Sequence, residues 1–122
     1  FVMVILNQKV IGMATKVYWL SYDLGVGGDY DGLYAWLDDH NAKPCGQSVA
    51  FFKYSTNRRD IDRALEEELI ESVKLRPGNR LYIVRDKETD KGSTIAGTFI
   101  YGKRNAAPWE GFGKQSPAQE DE

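Results

Sequence analysis

Val17-Tyr18-Trp19-Leu20-Ser21-Tyr22-Asp23-Leu24 is the stretch whose reading decides the fold. With the two-residue period of a strand, Val17, Trp19, Ser21 and Asp23 share one face while Tyr18, Leu20, Tyr22 and Leu24 share the other. Both faces carry bulky apolar groups, which predicts a strand buried on two sides in the middle of a sheet, with helices on one face and a different cover on the other. The strand ends in a carboxylate, Asp23, directly before Gly25-Val26-Gly27-Gly28. An acid at a strand exit either holds a metal or accepts hydrogen bonds from the next turn, and that choice separates an enzyme from a binding module.

Working outward, Asp29 is a good helix cap for Tyr30, Leu33, Tyr34 and Leu37, which fall at helical spacing and predict a first helix ending near His40-Asn41. Pro44 and Gly46 interrupt a short extended piece, and Gln47 to Ser55 reads as a strand joined to it by a tight hairpin. Asn57 with Asp60 resembles a shorter-acid capping box, opening a second helix whose stripe is Ile61, Ala64, Leu65, Leu69 and Val73. Pro77-Gly78 stops it. Arg80 to Asp86 is a further strand, Lys87 to Gly92 a polar turn, and Ser93 to Tyr101 the last strand.

This order predicts an α+β domain of the ferredoxin-like βαββαβ kind, with an appended C-terminal strand and the helices on one face of an antiparallel sheet. Residues 1–15 are expected to be a leader or an extra strand, 16–104 the ferredoxin-like domain, and 105–122, with Pro108, Gly111, Gly113 and Pro117, a flexible tail. An aromatic sheet face without helices needs a cover. A homodimer packed face to face supplies it most simply, and the last strand could extend across to the partner.

A chain of 122 residues is long enough for one domain with a real core. Its apolar runs fall far short of the ~20 residues of a membrane span, so no membrane role is expected. The lone Cys45 cannot form an internal disulfide, and the opening Phe1-Val2-Met3-Val4-Ile5-Leu6 lacks a charged secretory leader; both predict a cytoplasmic protein. Net charge is -2, and Glu120, Asp121 and Glu122 carry three of the negatives, so the body is nearly neutral. Binding of RNA or DNA would therefore rest on a local patch rather than on a general basic excess. The densest candidate is Lys53, Arg58, Arg59 and Arg63, with Tyr54 interleaved. The alternative is a solvated face on which these cations pair with Asp60, Asp62 and Glu66.

The strand ending Tyr22-Asp23-Leu24, the helix opening Asp29-Tyr30-Asp31-Gly32-Leu33-Tyr34, the segment Gln47-Ser48-Val49 and the strand Asn79-Arg80-Leu81-Tyr82-Ile83-Val84 together resemble one known group. It is the SinR-like branch of the small CRISPR-associated, ferredoxin-fold endonuclease superfamily, which also includes the virulence-associated protein D toxins. The resemblance spans roughly residues 16–101. It implies a symmetric dimer whose first-strand aspartates, one per subunit, meet in a shared cleft and bind magnesium for phosphodiester cleavage. Asp23, preceded by Tyr22, matches that aspartate, and Ser48 matches the family's glutamine-serine-valine segment. The chain departs from the pattern at Leu24-Gly25-Val26-Gly27-Gly28, where members often carry basic residues.

Phosphodiester hydrolysis needs charge neutralisation and an activated water, which a carboxylate-held magnesium provides. Asp29 and Asp31 are close enough in sequence to supplement Asp23 if the glycine loop folds back. The competing assignment has Asp23 accepting backbone hydrogen bonds and Asp29 capping the helix. A nucleotide loop is disfavoured, because Tyr30 stands where a third glycine belongs and no Gly-Lys-Ser/Thr follows. A calcium loop lacks its closing acid, since Asn41 and Ala42 occupy that region. Asp38, Asp39 and His40 are adjacent on a helix and diverge; His40 reads as a partner of the helix C-terminus, and Cys45 as inert. Two functions follow from these residues: a homodimeric nucleic-acid protein with a magnesium nuclease site at Asp23, or a noncatalytic dimer that binds protein or nucleic acid through the sheet face or through Trp109 and Phe112 of the tail.

Overall fold

A computed structural model describes residues 12–114 of the chain. Its elements are β1 (Ala14–Asp23), α1 (Tyr30–Asp39), β2 (Lys43–Pro44), β3 (Val49–Thr56), α2 (Ile61–Ser72), β4 (Arg80–Thr89) and β5 (Gly92–Tyr101). The five strands form one sheet in the order β2-β3-β1-β4-β5, and every neighbouring pair is antiparallel. The domain is therefore α+β, with the apolar β1 in the centre as its sequence requires. The leader or extra strand expected over residues 1–15 falls largely on residues 1–11, and the end of the tail on residues 115–122, outside the described residues.

The two faces of the sheet have different fates. Tyr18 and Leu20 of β1, Ala50, Phe52 and Tyr54 of β3, Leu81 and Ile83 of β4 and Ile100 of β5 are buried in one apolar cluster with Leu33, Trp36 and Leu37 of α1 and Ala64, Leu65 and Leu69 of α2. At roughly 1.5–3 kcal/mol for each fully buried large apolar side chain, this layer is what offsets the ordering of the chain. The opposite parity stays open: Trp19 is 42% exposed, so β1 is buried on one side of the single chain rather than on two.

The caps follow local chemistry. Asp29 Oδ1 accepts from the Gly32 amide at 3.0 Å, as the sequence predicts for α1. For α2 the cap is Asp60, whose Oδ1 accepts from the Arg63 amide at 3.1 Å; Asn57 lies before the helix and does not cap it. The third strand begins at Val49 rather than Gln47, because Ser48 adopts a positive φ of 62° and ends the hairpin turn in which the Cys45 amide donates to the Val49 carbonyl at 3.0 Å. The β4–β5 ladder is longer than its composition indicates. Lys87, Glu88 and Thr89 look like a polar turn but pair with Thr94, Ser93 and Gly92, leaving only Asp90-Lys91 at the tip. Gly92 has φ 114°, a conformation that a side chain would strain, and it closes this two-residue loop.

Polar groups inside the core are satisfied by specific partners. Asn79, 5% exposed, donates from Nδ2 to the Leu24 carbonyl at 3.0 Å and accepts at Oδ1 from the Arg76 amide at 2.8 Å, tying the exit of β1 to the entry of β4. Asp62, in the first turn of α2, turns inward and accepts from Tyr18 Oη, from Lys16 Nζ at 3.0 Å and from Arg85 Nε at 3.1 Å. Trp36 Nε1 donates to Glu68 at 2.9 Å and links the two helices, while the His40 ring stacks on the Trp36 indole.

Candidate functional site

Asp23 closes β1 on the open face of the sheet, opposite Arg80 of β4. Its Oδ1 accepts from the Gly25 amide at 3.1 Å, and its Oδ2 accepts from Arg80 Nη2 at 3.0 Å. The Arg80 guanidinium first, and the Gly25 amide after it, hold the Asp23 carboxyl below the usual carboxylate range. The carboxylate is thus ionised at neutral pH, with one oxygen committed to the turn and the other to a cation. Gly25 and Gly27 adopt the positive φ values, 65° and 76°, that turn the chain from β1 towards α1.

The other acids sit elsewhere. Asp29 accepts at Oδ2 from the Lys74 amide at 2.8 Å and at Oδ1 from Gly32, so both oxygens are used to fasten α1 to the end of α2. Those two amides, Lys74 first, lower its carboxyl. Asp31 is exposed in the first turn of α1. Among the described residues no group of three or more His, Cys, Asp and Glu side chains converges on a position for a metal ion.

The basic stretch is divided by the fold. Arg58 Nη1 and Arg63 Nε both reach Glu67, at 2.8 and 3.1 Å. The acid that pairs with them is therefore Glu67, four residues from Arg63 on α2, and not Asp60, Asp62 or Glu66; Asp60 caps the helix and Asp62 faces the core. Arg59 is exposed in the turn before α2. Lys53 lies on β3 opposite Val17, which places it on the open face of the sheet, away from the helices. Tyr22 lies on the other face, half-buried against Tyr30 and Tyr34, and burial first, then Tyr34, raises its hydroxyl. Ser48 accepts through its carbonyl from the Tyr22 amide at 3.0 Å, so its role is to extend the β1 backbone pairing.

Strand register builds a surface that the sequence reading did not single out. Across the open face Phe51 of β3 is opposite Trp19 of β1, which is opposite Val84 of β4; one step along, Ser21 is opposite Tyr82, which pairs with Phe99 of β5. The Trp19 and Phe51 rings are 5.2 Å apart, and the Tyr82 and Phe99 rings 4.7 Å apart in an edge-to-face arrangement. The Arg104 guanidinium lies 5.7 Å from the Tyr82 centroid and 5.5 Å from that of Phe99. Gly97 has no side chain to oppose the Tyr82 hydroxyl, which would otherwise meet a Cβ, so the ring can lie across β5. Beyond Arg104 the chain turns at Ala107–Glu110 and lines, together with Ser21, Asp23, Arg80 and Tyr82, a cleft of about 480 Å³. That is within the roughly 300–1,000 Å³ of ordinary small-ligand sites. The alternation of Val17, Trp19 and Ser21 with Val49, Phe51 and Lys53 was the signal available in the sequence; the register that aligns them was not.

No helix among the described residues is long and apolar enough to cross a membrane. No protein family, curated protein or solved structure matches the chain.

Proposed function

We propose that this is a ferredoxin-like nucleic-acid-binding protein whose working surface is the open face of the sheet. The observation that carries this reading is the coincidence of two aromatic pairs, Trp19–Phe51 and Tyr82–Phe99, with the cations Lys53 and Arg104 on the one sheet face that the helices leave uncovered. The order β2-β3-β1-β4, with β5 appended, supports the ferredoxin-like assignment. The resemblance of Tyr22-Asp23-Leu24 and Gln47-Ser48-Val49 to the SinR-like branch of the CRISPR-associated superfamily points to the same class of ligand.

Binding is preferred to cleavage because one Asp23 oxygen is held by the Gly25 amide and the other by the Arg80 guanidinium, while both Asp29 oxygens are taken by the Gly32 and Lys74 amides. The second reading is a homodimer in which two open faces meet and two Asp23 side chains share a magnesium ion. The continuity of Val17, Trp19, Val49, Phe51 and Val84 across the face favours it.

Fluorescence anisotropy with labelled single-stranded RNA, single-stranded DNA and duplex DNA, followed by gel analysis with magnesium for wild type and Asp23→Ala, tests both. The first reading expects binding without cleavage by either protein and little effect of Asp23→Ala on affinity. Magnesium-dependent cleavage that disappears in Asp23→Ala would establish the catalytic form instead. Absence of binding to every nucleic acid would refute the nucleic-acid role.

A further inference from the structure

We infer that the open face is a stacking track for single-stranded nucleic acid, with unpaired bases lying on Trp19 and Phe51 and phosphates meeting Lys53 and Arg104. The inference rests on the nucleic-acid reading above and specifies its ligand and the residues that hold it. Three observations carry it.

The first is the placement of the rings. Trp19 and Phe51 are on adjacent strands at directly opposed positions, and Trp19 retains 42% exposure, so an aromatic surface is available without any rearrangement of the core. Stacking on a base requires a free π-face on the nucleic acid, which an unpaired base offers and a paired base inside a duplex does not. The second is charge. Neither Lys53 nor Arg104 forms an ion pair among the described residues, whereas Asp23, the acid at the exit of β1 on the same face, is neutralised by Arg80. A strand crossing from β3 to β5 would meet Lys53 at one side, the Trp19–Phe51 pair in the middle, and Arg104 over Tyr82 and Phe99 at the other.

The third concerns what else could cover the face. The segment Asn105–Glu110 shares its cleft with Ser21, Tyr82 and Phe99, and so forms a wall over the β4–β5 end of the sheet. Two sheets that pack face to face approach to about 10 Å. That wall, and the Arg104 cation over Tyr82 and Phe99, stand where a second copy would have to pack for a flush approach. Trp109, on the wall and 75% exposed, offers a further ring at the mouth of the cleft.

The test uses the full chain with oligo(U) and oligo(dT) of about 12 nucleotides, a length in the range covered by small single-strand-binding domains. Trp19→Ala and Phe51→Ala are each expected to weaken single-strand binding about 5- to 100-fold, the range seen when one base-stacking ring is removed. Trp19→Tyr, which keeps a ring, should retain most of the affinity. Lys53→Gln should lower the slope of log affinity against log salt by about 0.7, the value for one phosphate contact on a single strand. In a Trp109→Phe background, where Trp19 is the exposed indole and Trp36 is buried in the core, oligonucleotide should quench the tryptophan emission.

If oligonucleotides bind but Trp19→Ala and Phe51→Ala bind as well as wild type, while Arg58→Gln and Arg59→Gln do not, the track is wrong and the nucleic-acid reading stands on the basic turn. If nothing binds, both fall. Equal affinity for duplex and single strand would also overturn the track, as would a concentration-dependent dimer that Trp19→Ala dissociates and that oligonucleotide leaves intact. Circular dichroism of each variant separates a lost site from a lost fold.

Discussion

Replacing Asp62 with Asn is expected to destabilise the domain by breaking the charge cluster that joins α2 to the sheet. Asp62 Oδ1 receives Tyr18 Oη and Lys16 Nζ, and Oδ2 receives Arg85 Nε, while Arg85 Nη1 goes on to Thr98 Oγ1 at 3.0 Å. One carboxylate therefore binds α2 to β1, to β4 and, through Arg85, to β5. The Arg85 side chain is only 8% exposed, so loss of its counter-charge leaves a cation in a dry site. Removing one partner of a fully buried pair costs about 3–5 kcal/mol. Asp62 itself is 22% exposed and Lys16 26%, and solvent relieves part of that cost, which brings the expectation to about 2–3 kcal/mol. For a domain of this size the melting temperature should fall by roughly 6–15 °C, and the urea midpoint should fall with an unchanged m-value.

The pH dependence has a definite sign. Burial pushes the Asp62 carboxyl up, but the hydrogen bonds from Tyr18, Lys16 and Arg85 together outweigh it and hold the group below its ordinary value. A carboxyl lowered in the folded state stabilises above its unfolded pKa of about 3.9 and loses that contribution as pH falls through the folded value. The gap between wild type and Asp62→Asn should therefore be full at pH 6 to 7 and shrink below about pH 4. Replacing both charges, as in Asp62→Leu with Arg85→Met, should restore part of the loss, since an apolar pair avoids the desolvation cost. A single Asn variant within about 0.5 kcal/mol of wild type, the ordinary range for a surface change, would refute the claim that this cluster clamps the helix to the sheet.

Two further outcomes follow from the geometry. Gly32→Ala in α1 should destabilise by about 1 kcal/mol or more, against the usual gain of about 1 kcal/mol for alanine in a helix, because a Cβ at Gly32 would run into Asp29 Oδ2 and stand 2.9 Å from the Ser72 carbonyl; chemical denaturation reads the sign. The Asp23 carboxyl should titrate below the ordinary aspartate value, and Arg80→Gln should move its midpoint upward, as followed by carboxyl carbon NMR; a midpoint indifferent to Arg80 would show that the Gly25 amide alone sets it.

How far the sequence was legible depends on whether the signal was local. The period of two in Val17–Leu24, the stripe Leu33-Leu37 and the Asp29 cap are satisfied within a few residues, and each element formed where its own chemistry put it. The misplacements share one cause. Lys87, Glu88 and Thr89 are polar because both of their faces lie beyond the helices, not because they turn, and only the pairing with β5 reveals them as strand. Asp62 reads as one more surface acid of α2; its partners Lys16 and Arg85 are distant in sequence and meet it only after β1 and β4 are in register. Asp23 was visible as an acid at a strand exit, but the cation that pairs with it, Arg80, comes from β4, 57 residues further along the chain.

The same non-local assembly governs the open face. A tryptophan on a central strand is read as core, since burying it contributes several kcal/mol at about 25 cal/mol per Å². Trp19 forgoes much of that by facing away from both helices, while Phe52 and Tyr54, on the neighbouring strand, are buried beneath them. Exchanging Trp19 for a polar residue would spare the domain an exposed apolar surface without disturbing the packed side. The single-strand track proposed above would give that exposed ring a use, with the rings and cations around Trp19 meeting an unpaired base and its phosphate.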